Sequence, residues 1–151
     1  MTGIASPIPS LPCMCASFRR TARSLTQLYD EALRPLRLRV TQFTILQALS
    51  LAGEVSQGEL GRMLAMDSTT LTRTLRTMGP YGWIAKRYGK DRRERLLSLT
   101  ATGKAQLRRA LPQWQKVQQG LRSRLGDERW QDLMTLTSHV TTLATQEGNQ
   151  S

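Results

Sequence analysis

The sequence predicts a mainly α fold (α+β) in which six helices are interrupted once, after the fourth, by a two-stranded β-hairpin. Three observations predict it. Apolar residues recur at spacings of three and four through most of the 151 residues, the period of helices with one buried face. Two short runs, Trp83–Arg87 and Arg95–Leu99, flank the charged, glycine-containing turn Tyr88–Glu94, the pattern of a hairpin. Glycine and proline fall between the periodic segments, at Pro35, Gly53, Gly79-Pro80 and Gly126, where they end helices. At roughly 100–200 residues per domain, the length is that of one domain.

The first helix is expected from about Cys13 to Leu33, because Phe18, Ala22, Leu25, Tyr29 and Ala32 or Leu33 form a stripe, with Arg19, Arg20 and Arg23 on the other face. Thr41 is the expected N-cap of a second helix that buries Phe43, Leu46, Ala48 and Leu49 and stops at Gly53. Ser56-Gln-Gly-Glu59 is a capping box opening a short helix to about Leu64. Asp67 then caps a fourth helix whose apolar face is narrow: Leu71, Leu75 and Met78. Thr100 caps a long helix carrying Leu107, Leu111, Trp114, Val117, Leu121 and Leu125, which Pro112 and Gly120 are expected to kink or weaken. Gly126-Asp127 opens the last, with Trp130, Leu133, Met134, Thr137, Val140 and Ala144 on one side.

The charge is placed unevenly. Lys plus Arg number 22 against 11 Asp plus Glu, a formal net charge of +11, with a pI near 11.0. From Asp67 to Arg109 there are eleven basic and three acidic residues, a net +8; residues 1–66 contribute +3 and residues 110–151 sum to zero. A basic patch concentrated on a small folded unit is the footprint of a polyanion partner. The fourth helix fits that partner. Its exposed positions hold Ser68, Thr69, Thr70, Thr72, Arg73 and Arg76, and threonine is too mediocre a helix former to be chosen for propensity. Short hydroxyls and arginines are what a helix needs in a DNA major groove, where Arg pairs bidentately with guanine and Ser or Thr reach phosphates and base edges.

Other chemistries find little support. A single histidine, His139, excludes a multi-histidine metal site within one chain, so no catalytic metal and no cofactor is expected. No Gly-rich phosphate loop, serine elbow or carboxylate pair beside a histidine supports an enzyme, which leaves a small enzyme of unknown class as the remote alternative. The two cysteines, Cys13 and Cys15, are too close to staple a secreted fold, which favours a cytoplasmic protein. No apolar run reaches the roughly 18–20 residues of a bilayer span, so no membrane partner is expected. Residues 1–12 carry three prolines without the basic and apolar regions of a secretory signal and read as a disordered arm.

Helices two to four followed by a basic hairpin are the parts of a winged helix-turn-helix, with the Asp67 helix as reading helix and the hairpin as wing. The first and last two helices exceed what that module requires, and their apolar stripes call for cover that a second copy supplies. The expected organisation is an arm at 1–12 and one unit at 13–151. Within that unit, 13–34 and 104–147 form the dimerisation helices and 36–103 the winged domain.

Asp91-Arg-Arg-Glu-Arg-Leu-Leu-Ser-Leu-Thr-Ala-Thr-Gly103, together with Gln57-Gly-Glu-Leu60, Ser68-Thr-Thr-Leu-Thr-Arg73 and Gly82-Trp83-Ile84, resembles the MarR family of bacterial transcriptional regulators. The resemblance implies a homodimeric repressor of a palindromic double-stranded DNA operator. Ser68, Thr70, Thr72 and Arg73 would face the major groove and Arg93 the flanking minor groove. Arg92 and Arg95 would lie near phosphates, with Lys90 in the same basic wing, and Asp91 would brace the wing arginine by a charged hydrogen bond. It implies too that a small phenolic or other organic effector, or thiol oxidation, releases the DNA. Cys13 and Cys15 are the candidate redox, soft-metal or metalloid sensor, since a helix N-terminus favours thiolates. The competing reading makes them small apolar residues packing the helix start.

Overall fold

The computed structural model describes residues 9–148; residues 1–8, most of the expected arm, lie outside the described residues. The carbonyls of Pro9 and Leu11 accept hydrogen bonds from the Arg20 Nη1 and the Ser17 hydroxyl, at 2.8 and 3.2 Å, and so tie the chain to the first helix, α1 (Met14–Leu33). A 3-10 turn over Arg34–Leu36 holds Pro35 at its start, and Arg37 follows in the left-handed region at φ 52°.

Helix α2 (Val40–Ala52) starts earlier than the Thr41 cap expected from sequence. Its cap comes from α1. Asp30 Oδ1 accepts from the Val40 amide at 2.7 Å, and Oδ2 accepts from Arg39 Nη1 at 3.0 Å. Gln42 Oε1 accepts from the Arg39 amide at 3.0 Å. A carboxylate ten residues upstream therefore supplies what a local threonine was expected to give. Gly53, at φ 75°, ends the helix as expected.

Helix α3 (Gln57–Leu64) opens on the expected capping box: the Ser56 hydroxyl accepts from the Glu59 amide at 3.1 Å and Glu59 Oε2 accepts from the Ser56 amide at 2.9 Å. Ala65 turns the chain in the left-handed region, and Asp67 caps α4 (Ser68–Met78). Three strands follow the order β1-β3-β2, with β1 at Val55–Ser56, β2 at Ile84–Tyr88 and β3 at Arg95–Leu99. Both neighbours run antiparallel to β3, and Leu97 faces Val55 on one side and Lys86 on the other. Strand β1 has no counterpart in the sequence reading, because two residues show no periodicity. Strand β2 starts one residue later than expected, since Trp83, 5% exposed, is drawn into the core.

The core is where the helical faces meet β3. Leu33 of α1, Phe43, Ile45 and Leu46 of α2, Leu60 of α3, Leu97 of β3 and Ala110 of α5 are wholly buried, and Leu71, Leu75 and Met78 of α4 nearly so. Burying a side chain of this size stabilises by about 1.5–3 kcal/mol, so α4 is held by its narrow apolar face while its other sides stay free. Helix α5 (Ala101–Leu125) runs through Pro112 and Gly120 as one element. Its first turn abuts the sheet: a Cβ on Gly103 would lie 2.1 Å from the Trp83 carbonyl oxygen. The Thr100 hydroxyl accepts from the Gly103 amide at 3.0 Å and donates to the Gly82 carbonyl at 2.7 Å.

Helix α6 (Asp127–Gly148) returns from the far end of α5 after the turn at Gly126, where Arg122 Nε donates to Asp127 Oδ1 at 2.7 Å. The Tyr29 hydroxyl joins α1 to α5 through Gln118 Oε1 at 2.8 Å. Away from the core, these three helices carry exposed large apolar residues: Phe18, Leu25 and Leu28 on α1, Leu125 on α5, and Leu133, Met134, Leu136 and Leu143 on α6. Among the described residues no helix is long and apolar enough to cross a membrane.

Candidate nucleic-acid interface

Helix α4 begins on a carboxylate that satisfies its first amides. Asp67 Oδ1 accepts from the Thr70 amide at 2.8 Å, and Oδ2 accepts from the Thr70 hydroxyl at 2.6 Å. The hydroxyl bond first, and then the amide bond, hold the Asp67 carboxyl below the usual carboxylate range. With Leu71, Leu75 and Met78 packed inward, Ser68, Thr69, Thr72, Arg73 and Arg76 line one shallow exposed groove along the outer side. Thr70, expected beside them, turns its hydroxyl to Asp67 instead.

The threonines of α4 divide by what their hydroxyls do. Thr74 donates to the Thr70 carbonyl at 3.0 Å and Thr77 to the Thr74 carbonyl at 2.7 Å. Thr77 also accepts from Gln42 Nε2, at 3.1 Å, which anchors the end of α4 to α2. Thr72 accepts from Gln57 Nε2 at 2.9 Å. Gln57, the first residue of α3, was quoted in sequence only as part of a motif; a partner 15 positions away leaves no local signal.

The wing is a tight charged turn. The Gly89 amide donates to the Glu94 carbonyl at 2.9 Å, and the Glu94 amide to the Asp91 carbonyl at 2.9 Å. Asp91 Oδ1 accepts from the Arg93 main-chain amide at 3.0 Å. This differs from the expected brace on the arginine side chain: a short Asp side chain in a turn reaches the amide two residues on, and the guanidinium is left free. Lys90, Arg92, Arg93 and Arg95 are all exposed. Among the described residues, neither they nor Arg73 and Arg76 form an ion pair.

One wing cation is committed. Arg87 on β2 forms a two-pronged ion pair with Glu54, just before β1, through Nε at 2.7 Å and through Nη2. Strand β3 lies between the two, so the pair spans the sheet and ties the wing to the helical domain. The hydrogen bonds from Arg87 hold the Glu54 carboxyl below its ordinary value, with the guanidinium charge adding to the effect.

The two basic surfaces converge. Ser68 and Thr72 of α4 and Arg93 and Arg95 of the wing line a single open cleft of about 950 Å³, together with Met63 of α3 and Thr141 of α6. Cys13 and Cys15 lie elsewhere, at the start of α1, both exposed with free thiols. Among the described residues no group of three or more His, Cys, Asp and Glu side chains could hold a metal ion.

Residues 38–94 match the family model for the MarR family. Over 81 residues, 54% of this chain, the sequence is 33% identical to the uncharacterised HTH-type transcriptional regulator YwoH of Bacillus subtilis. The match spans 59% of that relative's length. The fold is similar to the transcriptional regulator MosR of M. tuberculosis, solved in complex with DNA. The TM-score is 0.75 at 36% identity, over 87% of this chain and 98% of that one. It is also similar to a cysteine-to-serine mutant of MarR from E. coli complexed with operator DNA, with a TM-score of 0.75 at 26% identity, over 84% and 92% of the two chains.

Proposed function

The chain belongs to the MarR family, and from that premise we propose that it is a sequence-specific regulator that binds double-stranded DNA as a homodimer and represses transcription from a palindromic operator. The observation that carries this reading is the cleft in which Ser68 and Thr72 of α4 meet the wing arginines Arg93 and Arg95, which form no ion pair among the described residues. A helix with free hydroxyls and guanidinium groups offers base and phosphate contacts, and an arginine on a narrow hairpin suits the negative potential of a narrow minor groove. Ser68, Thr69, Thr72, Arg73 and Arg76 are the residues for the major groove, and Lys90, Arg92, Arg93 and Arg95 those for the wing. That MosR and MarR were each solved on DNA supports DNA as the partner. The exposed apolar residues of α1, α5 and α6 support the dimer.

Release has two candidate triggers. A small organic effector, phenolic in the simplest case, would have the cleft between α6 and the winged domain, where Met63, Met66 and Leu71 give an apolar wall and Arg62 and Arg93 a cationic one. Oxidation of a thiol is the second, and the exposure of both Cys13 and Cys15 supports it.

Binding to a duplex measured against salt tests the proposal. Each neutralised phosphate contributes about 0.9 to the log–log slope, so affinity falls steeply from low to moderate salt. Arg93→Ala weakens operator binding by roughly 1–3 kcal/mol and relaxes the flanking preference. Affinity that ignores salt would overturn the reading, and unchanged operator affinity in that variant would remove the wing from it.

A further inference from the structure

The geometry points to Gln57, a residue outside the reading helix, as the group that fixes the hydrogen-bond polarity of Thr72 and thereby the kind of base edge that Thr72 recognises. This rests on the reading that α4 enters the major groove.

A threonine hydroxyl has one proton to donate and two lone pairs to accept with. In α4 most of these are already assigned. Thr70 gives its proton to Asp67, Thr74 to the Thr70 carbonyl and Thr77 to the Thr74 carbonyl. Thr72 is the reverse case: its oxygen accepts from Gln57 Nε2 at 2.9 Å, and among the described residues its hydroxyl donates to nothing. The Gln57 amide meets the hydroxyl with a proton of its own, which leaves the Thr72 proton for another acceptor, and Thr72 lines the exposed groove it shares with Arg73 and Arg76.

When water is expelled from an interface, an O–H left without an acceptor is costly. With one lone pair already satisfied, the proton is the unmet half of Thr72, and donating becomes more favourable for a hydroxyl that itself accepts. Thr72 therefore requires an acceptor. In the major groove, guanine O6 and N7 and thymine O4 are acceptors, cytosine presents only its N4 donor, and adenine mixes the two. The partner is a guanine or thymine edge, one in each half-site. Gln57 acts as a positioning residue, and its reach from α3 makes the choice of base a property of two helices.

The test compares the sequences that wild type, Gln57→Glu, Gln57→Leu, Thr72→Val and Arg73→Ala select from a randomised duplex pool, with thermal midpoints confirming that all five fold. Wild type selects guanine or thymine at one position per half-site, by about threefold to tenfold, the worth of one hydrogen bond; Thr72→Val loses that preference. In Gln57→Glu the carboxylate takes the Thr72 proton, only lone pairs face the groove, and the preference moves to cytosine or adenine. In Gln57→Leu the hydroxyl turns freely and the position relaxes. If Thr72→Val erases the preference while Gln57→Glu keeps guanine or thymine, Gln57 does not set the polarity and the inference falls, with α4 still the reading helix. If neither Thr72→Val nor Arg73→Ala alters the selected sequence, or wild type enriches none, the reading of α4 itself falls.

Discussion

Gly103 shows how much one missing methyl group can decide. Its amide caps onto Thr100, and the space where a Cβ would stand is filled by the Trp83 carbonyl. That carbonyl is main chain and already accepts from the Thr100 amide at 3.0 Å, so it cannot yield cheaply. Gly103→Ala should destabilise the fold by roughly 1–3 kcal/mol, the usual cost of overpacking, and should displace the start of α5 from the base of the wing. Chemical denaturation checks the first effect; a midpoint matching wild type would mean that the approach relaxes without cost. The Leu99-Thr-Ala-Thr-Gly103 end of the wing motif is thereby explained by packing. Thr100 stops the strand and starts the helix, and Gly103 lets the two lie against each other. Neither Asp30 nor Glu54 could be found the same way. Their partners, Val40, Arg39 and Arg87, stand nine to 33 positions off, and a lone carboxylate in a sequence carries no sign of what it will meet.

The elements were legible wherever a local rule governs them. Ser56 and Glu59, Asp67, and Thr100 mark three helix starts by hydroxyl or carboxylate chemistry confined to four residues, and Leu71, Leu75 and Met78 mark the buried side of α4 by their period. Where a distant group supplied the cap, as at α2, the local rule chose the wrong residue. Carboxylates held by hydrogen bonds make the winged domain acid-sensitive. Glu54, Glu59 and Asp67 are each held below the ordinary carboxylate value by their hydrogen bonds, from Arg87, Ser56 and Thr70 respectively. A lowered folded-state value means that the stabilisation is complete above the unfolded-state range and drains away as pH falls through the folded-state values. The thermal midpoint should thus be flat near neutrality and fall once the pH drops below the ordinary carboxylate range. Glu59→Gln, which keeps the shape of the cap but cannot titrate, should flatten part of that fall. An unaltered acid limb in this variant would count against the capping box as a contributor.

For the whole molecule, the net charge of +11 resolves into +8 over residues 67–109, which span α4, the wing and the start of α5, +3 over residues 1–66, and a neutral part over residues 110–151. The neutral part carries Leu133, Leu136 and Leu143, 45%, 59% and 51% exposed in a single chain. If a second copy covers them, folding and association are linked, and the melting temperature rises with protein concentration. A concentration-independent midpoint, with the mass of a single chain in solution, would refute the dimer. Asp30 takes on a further meaning at this scale. One carboxylate on α1 both closes the first turn of α2 and grips Arg39 beside it. Helix α1 cannot slide against the winged domain without opening that turn to water. Movement of α1 against the winged domain would therefore be recorded locally, as faster exchange of the Val40 amide hydrogen with solvent, long before either helix unwinds. A single proton at the joint becomes a timekeeper for the regulator.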